Sequence, residues 1–151
     1  MGDSRPVSVF ASADALIRPE AKDNGFLDSA VVVIKYDNGA IATAEASFSA
    51  AYGYDLRGEV FGSRGMIQMG EPTNTVARTF TEAGLVVPTD GTDTSRYHES
   101  YVAEFDTFCR RVTGEDLPYP SGEDGILAQA ISDAAQVSVS ESRLVRLEEV
   151  L

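Results

Sequence analysis

The hydrophobic period of this chain changes once, and that change restricts the fold more than any single motif does. From Pro6 to about Val87 the residues read as short strands separated by turn formers: 7–13, 29–36, 40–50, 57–62, 66–69, 75–80 and 85–87. Asp37-Asn38-Gly39, Gly62-Ser63-Arg64-Gly65 and Glu82-Ala83-Gly84 supply residues that tolerate positive φ between these runs, so an antiparallel meander is expected. Beyond it the spacing becomes helical. Tyr97, Tyr101, Phe105, Phe108 and Val112 fall on one stripe of a helix that ends near Gly114. Ser121, with Asp124 three residues on, reads as the cap of a second helix whose stripe is Ile126, Leu127, Ala130, Ile131, Ala134 and Val137.

The expected architecture is therefore α+β: an open, mostly antiparallel sheet with two C-terminal helices packed on one face, and residues 143–150 as a final edge strand. The polar segment 17–28 is expected to be the most mobile loop. A chain of 151 residues, 43% of them hydrophobic, buries ~70% of its unfolded surface and supports one core, so residues 1–151 are expected to form a single domain.

Charge and composition exclude several functions. The 12 basic against 24 acidic residues leave a formal charge of -12, which repels nucleic acid and anionic membranes. The longest apolar run, Ala30 to Ile34, is far below the ~20 residues a bilayer requires, so no membrane partner is expected. A single cysteine, Cys109, fits a reducing compartment and suggests a cytoplasmic location.

Strand alternation extended from Ala40 puts Ala42, Ala44, Ala46, Phe48, Tyr52 and Tyr54 on one face, with Thr43, Glu45 and Asp55 on the other. On that count the two phenols project side by side, and Gly53 between them is a place for a bulge. They read either as ordinary half-buried strand aromatics or as groups that bind a hydroxyl-rich ligand, since a phenol joins an apolar face to a polar tip. Other chemistry is sparse. His98 has no second histidine for a metal set and reads as solvated or capping, Cys109 as a small buried side chain, and no metal site or catalytic residue is assigned. The glycine-rich stretch 58–66 lacks the order of a dinucleotide turn and reads as a hairpin.

The stretches 37–70 and 96–147, with an N-G-A hairpin, a Y-G-Y-D run, an E-V-x-G-S-x-G-M hairpin, an R-Y…Y…E-F…F helix and a D-G…A…A-A helix, resemble the C-terminal domain of the glucose–fructose oxidoreductase, inositol dehydrogenase and MocA (Gfo/Idh/MocA) family. Within that family the resemblance is greatest to inositol 2-dehydrogenases. It implies a two-domain NAD(P)-dependent oxidoreductase acting on the CH–OH group of a sugar or polyol. In such enzymes an N-terminal Rossmann domain carries the glycine-rich turn, an E-K-P lysine and a D-x-x-x-H helix, none of which is found in this sequence. The resemblance further implies that NAD or NADP is held mainly by that other domain, with none bound by this stretch alone, which by itself is expected to be inactive. It assigns Tyr52, Tyr54 and Asp55 to the polyol and Tyr97 to the nicotinamide end of the cleft, and it implies a homo-oligomer through the open sheet face. Val31, Val32, Val33 and Ile34 are apolar on both faces of their strand, so something beyond the helices is expected to cover that sheet. A free-standing α+β binding or oligomerisation module without catalysis is the competing reading.

Overall fold

The computed structural model describes residues 4–71, 73, 77–89 and 91–151. Its class is α+β, with antiparallel strands in open sheets and two helices of 20 residues each. By contacts the chain divides into two compact units, Met1–Ser49 with Pro120–Leu151, and Ala50–Tyr119.

The first unit is a four-stranded sheet with a helix on it. β1 (Pro6–Asp14), β2 (Ser29–Tyr36), β3 (Ile41–Ser47) and a short β8 (Val145–Arg146) lie in the order β3-β2-β1-β8, all antiparallel. The β2–β3 turn is the expected one: Gly39 has φ 86°, and the Asn38 side-chain carbonyl accepts the Ala40 N–H at 2.9 Å. Val9, Ala11 and Ile34 turn one face of this sheet inward, against Ala130 and Ala134 of α2 (Gly122–Glu141) and against Val145 and Leu147. Small residues every fourth position, Ala130, Ala134 and Ser138, let the helix backbone approach the strands closely. Ser121 caps α2 as its spacing predicts: its hydroxyl accepts the Asp124 N–H, and the Asp124 carboxylate accepts the Ser121 N–H at 2.7 Å.

Four expectations for this unit change. Strand β3 stops at Ser47, because its partner β2 begins at Ser29 and Ser29–Ser47 is the last pair of the ladder. The Phe48 N–H then goes to the Asp28 carbonyl, and the chain bends away. The segment 17–28 is not a loose loop. Pro19–Asn24 forms a 3-10 turn closed by Gly25 at φ 75°, and Asp28, 1% exposed, accepts the backbone N–H groups of Leu16, Ile17 and Arg18. At the C-terminus the strand is only two residues long, and Leu147–Glu149 turn into a 3-10 helix, with the Arg146 N–H donating to the Glu149 carboxylate at 2.7 Å. That turn carries Leu147 into the core. Ile126, expected in the α2 stripe, is exposed near the open N-terminal end of the helix.

The second unit holds two hairpins, β4 (Gly58–Gly62) with β5 (Gly65–Met69) and β6 (Thr79–Thr81) with β7 (Gly84–Val86), followed by α1 (Asp93–Val112). Both hairpins turn at the glycines the sequence indicates, Gly65 at φ 147° and Gly84 at φ 120°. Of the strand expected over 75–80, Thr75 and Val76 lie outside the described residues, and pairing begins at Thr79. Helix α1 starts upstream of Tyr97 because Thr92 caps it, its hydroxyl accepting the Ser95 N–H at 3.2 Å. It ends at Thr113 with Gly114 at φ 103°, as the glycine indicates. His98 is therefore an exposed residue within the helix rather than a cap. Cys109 is exposed instead of buried, and so are Tyr101, Phe105, Phe108 and Val112 of its apolar stripe. Within its own unit α1 is tied near its two ends, by Arg96 to the Leu56 carbonyl at one and by Arg111 to the Leu117 carbonyl at the other.

Candidate functional site

The four residues singled out from the sequence all lie in the second unit, and the structure joins them in two pairs. Because β3 ends at Ser47, Tyr52 and Tyr54 do not share a strand face. Ala51 and Tyr52 form a turn, in which the Gly53 N–H reaches the Ala50 carbonyl at 3.3 Å, and Gly53 itself has φ 124°. A side chain at such a φ is strained, so glycine is what allows the chain to reverse between the phenols. The expected bulge is a turn.

Tyr54 pairs with the helix. Its ring meets Tyr97 edge-on, centroids 5.5 Å apart at 79°, and Tyr97 in turn meets Tyr101 at 6.1 Å and 69°. Edge-to-face rings attract through their quadrupoles, so the three phenols form a ladder that ties the segment after the turn to the first turns of α1. Burial, and secondarily the Tyr54 phenol beside it, push the Tyr97 hydroxyl above the usual tyrosine range. The Arg96 guanidinium adds a bond to the Leu56 carbonyl at 3.2 Å, from the residue next to Tyr97.

Tyr52 pairs with Asp55. Its hydroxyl donates to Asp55 Oδ2 at 2.8 Å, and the Thr89 hydroxyl donates to the Tyr52 carbonyl. The Asp55 carboxylate first, and the partial burial of the ring second, push the Tyr52 phenol above its ordinary range. Arg57 completes the group: Nε donates to Asp55 Oδ1 at 3.1 Å and Nη2 lies 3.0 Å from Oδ2. Sequence reasoning passed over Arg57. The signal was there in an Asp-x-Arg spacing beside an aromatic, but such surface pairs are too common to single out without coordinates.

Behind this segment Gly70, at φ 76°, runs against its backbone. A Cβ there would stand 2.0 Å from the Leu56 carbonyl oxygen, so only glycine permits the approach. Both phenols remain accessible, Tyr52 at 53% and Tyr54 at 43%, which sets them apart from core aromatics. Among the described residues no group of three or more His, Cys, Asp or Glu side chains is placed to hold a metal ion. No helix of the described residues is long and apolar enough to cross a membrane.

The arrangement matches known proteins along nearly its whole length. Residues 1–147 fit the profile described as "Oxidoreductase family, C-terminal alpha/beta domain". The chain is 37% identical over 152 aligned residues to a myo-inositol 2-dehydrogenase of Thermotoga maritima, an alignment that takes in 95% of this chain and 43% of that protein. Among solved structures, a probable dehydrogenase from Thermotoga maritima superposes with a TM-score of 0.88 at 37% identity, covering 98% of this chain and 45% of the other. A scyllo-inositol dehydrogenase from Lactobacillus casei, solved with bound NAD(H) and scyllo-inositol, superposes at 0.89 with 20% identity, over 96% of this chain and 43% of its own, and speaks for the fold alone. The chain thus spans less than half the length of these relatives. With a family profile matched over residues 1–147 and the α+β architecture shared, this chain belongs to the Gfo/Idh/MocA oxidoreductases as their C-terminal alpha/beta domain.

Proposed function

We propose that this chain forms the polyol-side wall and the subunit-packing sheet of a cytoplasmic, NAD(P)-dependent dehydrogenase of the inositol 2-dehydrogenase type, acting as one domain and inactive by itself. The observation that carries this reading is the contact between Tyr54 and Tyr97: the position assigned to the polyol and the position assigned to the nicotinamide end of the cleft touch at 5.5 Å. Accessible phenols suit a ring of hydroxyls, because each offers an apolar face to C–H groups and an oxygen to O–H groups. The relative from Thermotoga maritima is a myo-inositol 2-dehydrogenase, which supports inositol as the substrate class.

The reaction would pass a hydride from a carbinol carbon to the nicotinamide, with the proton taken by groups outside this chain. The glycine-rich stretch 58–66 is the β4–β5 hairpin. Gly62 and Gly65 pair in that hairpin rather than opening a helix, which supports a reading in which this chain's share is holding and orienting the polyol, with Tyr97 nearest the nicotinamide.

The subunit role rests on the sheet of the first unit. Phe10, Val31, Val33 and Ile41 are exposed on the face opposite α2, where Phe10 pairs with Val33 and Lys35 with Ile41. An apolar strip of this kind suits the matching face of a second copy related by a two-fold axis.

The test is made in the whole protein that carries this sequence. Oxidation of myo-inositol with NAD+ or NADP+ is followed by the absorbance of the reduced nicotinamide, with Tyr54→Ala as the variant. The expected result is turnover in the parent and a KM for polyol raised about tenfold or more in the variant. Absence of turnover with every inositol isomer and either dinucleotide would refute the reading.

A further inference from the structure

We propose that Asp55 is a positioning residue rather than a polyol ligand: clamped by Arg57, it takes up the Tyr52 proton in a hydrogen bond and so presents the Tyr52 phenol oxygen to the ligand as an acceptor, which selects a donor hydroxyl at that position. The inference deepens the assignment of Tyr52 to the polyol wall and rests on that assignment for its ligand.

The geometry of the carboxylate leads to it. The Asp55 side chain is only 9% exposed, and both of its oxygens are occupied, Oδ2 by the Tyr52 hydroxyl at 2.8 Å and by Arg57 Nη2 at 3.0 Å, Oδ1 by Arg57 Nε at 3.1 Å. A carboxylate so enclosed has little left to offer a ligand. It also accepts and does not donate, so the proton in the bond comes from the phenol. With its one proton committed, the Tyr52 oxygen has only lone pairs to show elsewhere, on a residue that is half exposed. The upward displacement of the Tyr52 phenol by Asp55 is the same interaction read through its acidity.

The backbone around the pair fixes its direction. The Thr89 hydroxyl holds the Tyr52 carbonyl, the Arg96 guanidinium holds the Leu56 carbonyl, and Gly70 lies against that same carbonyl with no room for a Cβ. A phenol held at both ends in this way is pre-oriented before any ligand arrives. A consequence follows for the chemistry. A ketone accepts hydrogen bonds and cannot donate one, so a ring position facing Tyr52 gains this hydrogen bond only while it carries a hydroxyl.

The test uses the whole protein with tyrosines labelled at Cζ, the Tyr52 resonance being assigned by Tyr52→Phe. In Asp55→Asn the pH titration of Tyr52 is expected to move down toward an ordinary tyrosine while Tyr97 keeps its own, which also shows that the variant is folded. Arg57→Gln, which leaves the carboxylate in place, serves if Asp55→Asn does not fold and is expected to broaden or shift the same resonance. Binding of inositols with one hydroxyl replaced by fluorine, which cannot donate, is expected to be about 3- to 10-fold weaker at one ring position in the parent, with no such penalty in Tyr52→Phe and a reduced one in Asp55→Asn. A Tyr52 titration unchanged in both Asp55→Asn and Arg57→Gln overturns the inference whatever the inositols do. If Asp55 governs the titration but no inositol perturbs Tyr52, the proton placement stands and the polyol assignment falls.

Discussion

The Ser138 hydroxyl accepts the Ala11 N–H at 2.9 Å and donates to the Arg143 carbonyl at 2.6 Å, joining the sheet, α2 and the turn that follows it through one fully buried side chain. Strand β8 pairs with β1 only at Ser8 and Val9, so beyond that point a β1 amide directed to the β8 side would be left without a ladder partner. Ser138 stands in for the missing strand. Ser138→Ala leaves the Ala11 N–H and the Arg143 carbonyl without this partner, and the expected loss is about 1–3 kcal/mol. Urea unfolding checks it: the midpoint falls with the slope unchanged.

Asp28 makes the first unit sensitive to acid. Burial pushes its carboxyl up, but hydrogen bonds from the Arg18 N–H, the Ser29 hydroxyl and the Ile17 and Leu16 N–H groups outweigh it and hold the group below the usual carboxylate range. The folded state therefore binds this proton more weakly than the unfolded chain does. Its stabilising effect is full above the ordinary aspartate range and is lost as pH falls through the depressed folded value. Amide exchange of Leu16, Ile17 and Arg18 should accelerate across that acid window. In Asp28→Asn these amides should lose protection by about tenfold or more at neutral pH, with little further change on acidification.

Gly70 tests how the phenol-bearing segment is held. In Gly70→Ala the new Cβ would collide with the Leu56 carbonyl at 2.0 Å, and φ 76° adds strain of about 1–3 kcal/mol. The segment carrying Tyr54 and Asp55 must shift, so the near-ultraviolet circular dichroism of the tyrosine ladder should weaken. Gly39→Ala is the control, since it also has positive φ but meets nothing within 4 Å.

The open sheet face gives an assembly prediction. Val33→Glu puts a charge beside Phe10, on a face turned away from the core contacts of Ile34. If a second copy covers that face, sedimentation should show the variant dissociating at concentrations where the parent is oligomeric, with an unchanged far-ultraviolet spectrum. An oligomer that survives the charge would place the interface elsewhere.

Tyr97 offers a spectroscopic check on the ladder. Tyr54 is the second cause, after burial, of its raised hydroxyl. Tyr54→Leu should therefore move the Tyr97 titration part of the way back toward an ordinary tyrosine, while Tyr52, held by Asp55, keeps its own. A Tyr97 titration unmoved by the change would show that the two rings are not in contact.

Much of this was readable in the order of residues. The hairpins at Asn38-Gly39, at Gly62 to Gly65 and at Gly84, the Ser121–Asp124 cap and the stop near Gly114 each depend on residues within a few positions of one another, whose preferences act wherever the chain lies. The family also followed from motifs in order. The end of β3 did not, because alternation in Ala42 to Ala46 looks the same whether or not a partner strand continues beside it. That error put Tyr52 and Tyr54 on one face. Asp28, Ser138 and Arg57 escaped notice for a related reason: a lone polar residue gains its meaning from the groups that surround it.

The sequence by itself determined the two long helices, the hairpin turns and the family, since these follow from local backbone preference, hydrophobic period and motifs in order. Tertiary structure decided where the ladder of β3 runs out, which tyrosine meets Tyr97 and which meets Asp55, and that Ala11 finds Ser138 across 127 positions of chain. Those partners are chosen by packing and by the need to satisfy buried polar groups, and neither constraint is written in the spacing of neighbouring residues.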